Sequence, residues 1–303
     1  MGTKMTRELA SPMGTFGLWT FSLDRQPWSR AKELAAEIEE MGWSAIWIPE
    51  ATNRNVFVNA TLLLTATQRL SVVSGIAPIH NRDAMATVNG QRTLDEAFPD
   101  RFVLGLGVSH AWLVEDLRGG SYTKPLPTMS AYLDRMDAAP FSAHPPTARD
   151  RRLLAALGPK MLALAAEKAD GAHPYLVTPE HTAGARPILG PGKILAPDQK
   201  VLLETDPSEA RRIARVHLSG YLSQPNYRNS FIRQGFEADD LDGGGSDRLV
   251  DAIVAWGSID TVVARVLAHR DAGADHVAVQ VLPRDMGYLP LDEWRAVASA
   301  LMS

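Results

Sequence analysis

Residues 101–110 read RFVLGLGVSH. Phe102 to Leu106 is an apolar run of strand length with no polar alternation, the pattern of a parallel strand covered on both faces. Gly105 and Gly107 strip away side chains where such a strand would end, and Ser109 and His110 follow at once. A buried strand that delivers a hydroxyl and an imidazole past its carboxyl end is the layout of a site in an α/β sheet or barrel. A dinucleotide fingerprint would need Gly or Ala where His110 stands. It would also need the motif on the first strand and an acidic residue about twenty positions on. Neither condition is met.

Working outward, strand-like and helix-like segments alternate along the chain. Strands are expected at 14–21, 45–49, 70–77, 102–107, 153–157, 172–177, 200–204 and 276–282. Helices are expected between them: Ser29 to Met41, Val56 to Gln68, Asp83 to Phe98, Met129 to Asp137, from Pro159, from Thr178-Pro179, from Asp206, and Ile259 to Ala272. A last helix runs from Leu291 to Met302. The run Asp206-Pro207-Ser208-Glu209 supplies a cap, a first-turn proline and an acidic third position. Eight strands alternating with helices predict a (β/α)8 TIM barrel, which needs roughly 250 residues of the 303 present. The long gap between the seventh and eighth strands predicts an insertion over about 206–257, and residues 1–12 read as a loose leader before a single barrel domain at 13–303.

Composition narrows the chemistry. A formal charge of −4 argues against nucleic acid or an anionic membrane as partner. The absence of cysteine excludes disulfides, thiolate nucleophiles and iron–sulfur ligation. No stretch approaches the roughly 18 apolar residues of a membrane span. The expectation is a soluble, cytoplasmic protein. His80, His110 and His173 carry no H-E-x-x-H or H-x-H spacing, so no metal site is expected, and no G-x-S-x-G marks a serine hydrolase.

Other residues fall where a barrel mouth would gather them. Trp19 closes the first strand, Glu50 follows the second, and Ser74-Gly75-Ile76 ends the third, where a glycine reads as a bulge or close backbone approach. Gly158-Pro159-Lys160 opens a helix directly after a strand, so its free N–H groups and dipole could receive an anion. His173 and Tyr175 end the sixth strand. The arginines at 149, 151 and 152 precede a strand, on the face opposite the mouth, and read as solvated or paired with acids.

Together, AIWIPE (45–50), SVVSGIAPIHNRD (71–83), TLDEAFPDRFVLGLGVSH (93–110), ALGPKMLALAAEKADGAHPYLV (156–177) and AGADHVAVQVL (272–282) resemble the luciferase-like flavin and deazaflavin oxidoreductases. The chain is similar above all to the actinobacterial coenzyme F420-dependent branch. The resemblance implies a homodimeric barrel that transfers a hydride between the deazaflavin C5 and a small organic substrate. The alternative it leaves open is an FMN-dependent monooxygenase using oxygen. It implies a cis peptide in the third strand, best placed after Gly75, with Ser74, Gly75 and Ile76 backing the cofactor ring. Gly107, Val108 and Ser109 would line that ring, with His173 and Tyr175 beside it. Gly158, Pro159, Lys160 and Met161 would hold the phosphate, and Glu50 would touch the cofactor and orient it. His110 is the expected proton donor or acceptor, and Trp19, His80 and His110 the substrate wall. Relatives often carry Asp-His where this chain has Glu50-Ala51, so a histidine at that spot is missing.

Overall fold

The computed structural model describes residues 13–285 and 287–303, so the expected leader at 1–12 lies outside the described residues. The chain begins with β1 (Phe16–Trp19), α1 (Trp28–Glu40), β2 (Ala45–Ile48), α2 (Val56–Ala66) and β3 (Ser71–Ser74). There follow β4 (Ala77–Pro78), α3 (Ala84–Ala97), β5 (Phe102–Gly107), the one-turn α4 (Ala111–Val114) and α5 (Pro125–Asp137). Next come β6 (Arg152–Ala155), α6 (Pro159–Lys168), β7 (Gly171–His173), α7 (Pro179–Leu189), β8 (Ile194–Leu195) and β9 (Asp198–Leu202). The remainder is α8 (Pro207–Leu222), α9 (Pro225–Arg233), α10 (Asp247–Ile253), β10 (Val254–Trp256), α11 (Ile259–Asp271), β11 (Val277–Val281) and α12 (Leu291–Leu301).

All strand pairings are parallel, in the order β10-β9-β11-β1-β2-β3-β5-β6-β7-β8. Residues 194–202 close the ring, because their first half pairs with β7 and their second half with β11. Ala196 N donates to Ala172 O (2.9 Å), and Ala278 N to Pro197 O (2.9 Å). The result is the expected (β/α)8 barrel, with its seventh strand starting earlier than the apolar run KVLLE suggested. The sixth strand is also shorter than expected: it stops at His173 because Pro174 follows and Leu176 takes a left-handed φ of 58°. Strand β10, unforeseen in sequence, adds to the outer half of β9.

Local chemistry sets most boundaries. Asp83, Thr178 and Asp206 cap α3, α7 and α8 with side-chain oxygens. Helix α1 departs from expectation: it starts at Trp28 after Pro27, which offers no side-chain cap, and Ser29 lies inside its first turn. The arginines at the barrel's amino end are paired, Arg149 with Asp170, Arg151 with Asp100 and Arg152 with Asp137.

The glycines of β5 have a specific cause. A Cβ on Gly105 would lie 1.9 Å from Ser74 O, and one on Gly107 would lie 2.6 Å from Ile76 Cδ1. They do not merely open the mouth; they let the end of β3 lie against β5. Ser74, fully buried, does not reach the site expected of it. Its hydroxyl accepts from Gly105 N (2.8 Å) and donates to Gly105 O (2.9 Å), locking the two strands together.

In the last turn of α3, Asp95 is buried with Oδ2 unpaired, and burial, aided by Asp150, pushes its carboxyl up to about 8. The unfolded carboxyl ionises near 3.8, so stability falls as pH rises between those two values. Asp95→Asn should therefore stabilise the protein at pH 7, by on the order of 2 kcal/mol, and much less at pH 4. Urea melts at the two pH values measure this; an equal effect at both would contradict it.

Candidate active site

A cavity of about 420 Å³ opens at the carboxyl ends of the strands. That volume suits a cofactor ring or a small organic ligand. Trp19 comes from β1, Glu50 follows β2, Gly75 and Ile76 follow β3, and Gly107 to His110 follow β5. Gly158 and Met161 come from the start of α6, His173 ends β7, and Tyr175 follows it. Barrel topology thus brings together residues as far apart in sequence as Trp19 and Arg233.

Three residues expected at the site lie outside this lining in addition to Ser74. Pro159 and Lys160 begin α6 and are exposed, whereas Gly158 and Met161 line the cavity. His80 lies behind Tyr122, ring centroids 6.1 Å apart, and burial lowers its basicity. Tyr122 takes the wall position in its place.

The Gly75–Ile76 peptide bond is cis. A side chain on Gly75 would meet Trp19 Nε1 at 2.6 Å, so the bare backbone faces the cavity beside the indole.

Glu50 is buried and held by both arms of Arg82, with Arg82 Nη1 donating to Oε2 at 2.9 Å. Val56 N also donates to its Oε1 (3.1 Å). Arg82 lies 5.1 Å over the Phe57 ring, which fixes the guanidinium from behind. Both carboxylate oxygens thus already hold charged or backbone donors.

His173 Nδ1 lies 2.6 Å from Ala196 O. A carbonyl only accepts, so Nδ1 carries the proton and Nε2 presents a bare lone pair. That Nε2 is buried with no partner, and burial pushes the imidazole down to about 4, so it stays neutral. Its ring stacks on Trp47 at 4.3 Å. Trp19 Nε1, a donor, is likewise buried and unpaired. Native structures seldom leave such atoms unsatisfied. A donor and an acceptor waiting on an otherwise apolar wall suit a flat heteroaromatic ligand with carbonyl and N–H groups on its edge.

Tyr175 is locked from behind. Its hydroxyl donates to Gln280 Oε1 (2.9 Å), and Lys200 Nζ lies 3.5 Å from its ring centroid. Lys200 is fully buried, paired with Asp198, and lowered to about 8 by burial. Asp198 also accepts from Leu176 N (2.6 Å), holding the left-handed turn after β7.

His110 follows Ser109, whose φ of 64° turns the chain out of β5. Its Nδ1 is buried without a partner; burial lowers its basicity, and the nearby Asn226 amide opposes that shift. The imidazole is neutral at pH 7. Asn226, Tyr227, Asn229 and Arg233 of α9, with Tyr221 of α8, supply a wall from the expected insertion, in which the sequence singled out no residue. The only available signal was Pro225 at a helix start, with polar residues recurring three and four apart. Arg82 stood in view beside His80 without a partner that spacing could identify.

A parallel barrel with an apolar slot at its carboxyl ends, flanked by a helix amino terminus, is the architecture of a cofactor-using barrel enzyme. The luciferase-like monooxygenase family matches residues 12–276, and the chain belongs to that family of enzymes. A Mycobacterium tuberculosis protein, named for coenzyme F420-dependent oxidoreductase activity, is 28% identical over 184 residues. That match spans 51% of this chain and 53% of the relative, about half the length of each. An F420-dependent secondary alcohol dehydrogenase bound to an F420-acetone adduct shares the fold at TM-score 0.77 and 13% identity, over 95% of this chain and 98% of its own. The F420-dependent tetrahydromethanopterin reductase of Methanopyrus kandleri gives 0.75 and 17%, covering 95% and 98%. The FMN-bound oxygenating constituent of 3,6-diketocamphane monooxygenase of Pseudomonas putida gives 0.71 and 14%, covering 95% and 97%. Among the described residues no helix is long and apolar enough to cross a membrane, and no group of three or more His, Asp or Glu is placed to hold a metal.

Proposed function

We propose that the chain is a coenzyme F420-dependent oxidoreductase that transfers a hydride between the deazaflavin C5 and a small organic substrate. The observation that carries this reading is the pair of unsatisfied buried atoms, Trp19 Nε1 and His173 Nε2, in a slot backed by the cis Gly75–Ile76 peptide. The mycobacterial relative's name favours F420 over FMN as the occupant. Bound there, the deazaflavin would supply two-electron hydride chemistry.

The protein's own groups would do the rest. Ile76, Gly107, Val108 and Ser109 would support one side of the ring; Trp19, His173 and Tyr175 would bound the other. Gly158 at the amino end of α6, with Met161 behind it and Arg233 beside it, would receive the phosphate. Arg233 Nη2 reaches Leu157 O at 3.5 Å, which places its charge at that helix end. Glu50, fixed by Arg82, would orient the cofactor. His110, neutral at pH 7, would accept a proton as hydride leaves the substrate and return it in the reverse direction. The proposal includes a cytoplasmic homodimer, which sedimentation of the purified protein would check.

Titration with F420 and FMN side by side tests the reading. F420 fluorescence should change saturably, with FMN binding weaker. Oxygen consumption with reduced FMN and no response to F420 would establish the monooxygenase reading instead. With F420 bound, His110→Ala should lower kcat by about 10²–10⁴ and leave F420 affinity intact. The wild-type rate of substrate oxidation should fall on acidification below pH 6.5, as His110 protonates, and the variant should lack that limb.

A further inference from the structure

The barrel interior holds a charged pair that the chemistry above does not use. Asp198 and Lys200 lie two apart on β9, so both side chains leave the strand on the same face. Both are completely buried and paired with each other. Across the ladder Lys200 is in register with Gln280 of β11. An ammonium carries three N–H donors, and Asp198 takes one of them. The charge also rests against the Tyr175 ring, with Nζ 3.5 Å from the ring centroid.

Burying such a pair costs desolvation of both ions, and replacing it with well-packed neutral residues is often neutral or stabilising. What neutral residues cannot supply is a cation against an aromatic face. Tyr175 is tied at its far end through its hydroxyl, to Gln280 Oε1 (2.9 Å) and the Tyr221 hydroxyl (3.2 Å). Those contacts lie on the long axis of the ring and leave it free to turn about that axis. A cation on the face opposes the turn.

Resting on the cofactor reading above, we propose that Lys200 is a positioning residue: its ammonium fixes the plane of the Tyr175 ring, and the ring so fixed bounds the slot around the cofactor. The slot then holds the cofactor tightly only while Lys200 is charged. Burial lowers the Lys200 ammonium to about 8, so the charge is present below that pH and lost above it. Asp198 is its ion-pair partner, and the other groups around the pair titrate elsewhere. His173 of β7, His269 of α11 and His276 beside β11 are lowered to about 4 by burial, and His217 of α8 to about 3. Burial also raises the Tyr175 and Tyr227 phenols well above their ordinary value, and Tyr221 to about 12.

Two measurements on wild type test this. The affinity for F420, with FMN as a second probe, should fall about tenfold as pH rises through 8. NMR of protein carrying tyrosine labelled with 13C at both ring Cε atoms, assigned by Tyr175→Phe, reads the ring without any cofactor. Tyr175 should give two Cε signals at pH 7, one for each edge of a ring held still, and one averaged signal above pH 9. The double variant Asp198→Asn, Lys200→Met keeps an acceptor for Leu176 N and buries no charge. It should melt no lower than wild type, give the averaged signal at every pH, and bind F420 about tenfold more weakly at pH 7 with no alkaline fall. Wild-type affinity that is flat across pH 8, Tyr175 signals that ignore pH, or a folded double variant that binds as wild type does would overturn the proposal. Should the double variant fail to fold, the two wild-type titrations decide the matter. If neither F420 nor FMN binds while the Tyr175 signals follow Lys200, the cofactor is removed and the positioning stands. Tight F420 binding without the alkaline fall would do the reverse.

Discussion

Gly105→Ala is expected to cost about 3 kcal/mol or more, seen as a fall in melting temperature on the order of 10 °C. The added methyl would sit 1.9 Å from Ser74 O, and neither partner can move aside. Ser74 is tied to Gly105 through two hydrogen bonds, and β3 is held by β2 on its other edge. The variant should also lose whatever binds the slot, because the Gly75–Ile76 backbone rests on this same contact. Gly184→Ala is the matched control. It lies in α7 with nothing within 4 Å of the new methyl, so it should gain about 0.5–1 kcal/mol. Equal behaviour of the two variants would refute the steric argument.

Arg82→Met should be comparably damaging for a different reason. It leaves the Glu50 carboxylate buried with only the Val56 N–H as partner, and stranding a buried charge in this way costs about 3–5 kcal/mol. Adding Glu50→Gln should recover most of that loss, since a neutral amide tolerates the same surroundings. Chemical melts of the two single variants and the double variant give the coupling directly. Additive losses would mean that the pair stabilises nothing jointly.

The fold was legible because its signals are local and repeated. Apolar runs such as AIWI and FVLGLG, alternating with capped helices, admit few architectures, and the barrel is the one formed. Failures came where tertiary contacts overrode local pattern. Ile194-Leu195 is too short to read as a strand, yet it completes the ring because β7 offers it an edge. At the cavity, residues on strand ends were legible because a barrel must gather them. The place of the Ser74 hydroxyl was illegible because sequence cannot tell a hydroxyl facing a ligand from one facing the next strand. The exposure of Lys160 was illegible because a helix amino end is visible in sequence, whereas the surroundings of each side chain on it are not. The α9 wall was illegible for a third reason: its residues acquire chemistry only by lying across the mouth.

Helix α9 touches both ends of the cavity, with Asn226 at the His110 end and Arg233 at the Gly158 end. Its nine residues form one rod roughly 13 Å long, anchored in between by Tyr227 and Phe231. A rod cannot tilt at one end and stay still at the other. A tilt of α9 imposed near His110 would therefore be felt near Gly158, and whatever factor one ligand imposed on the other's affinity would be returned in equal measure.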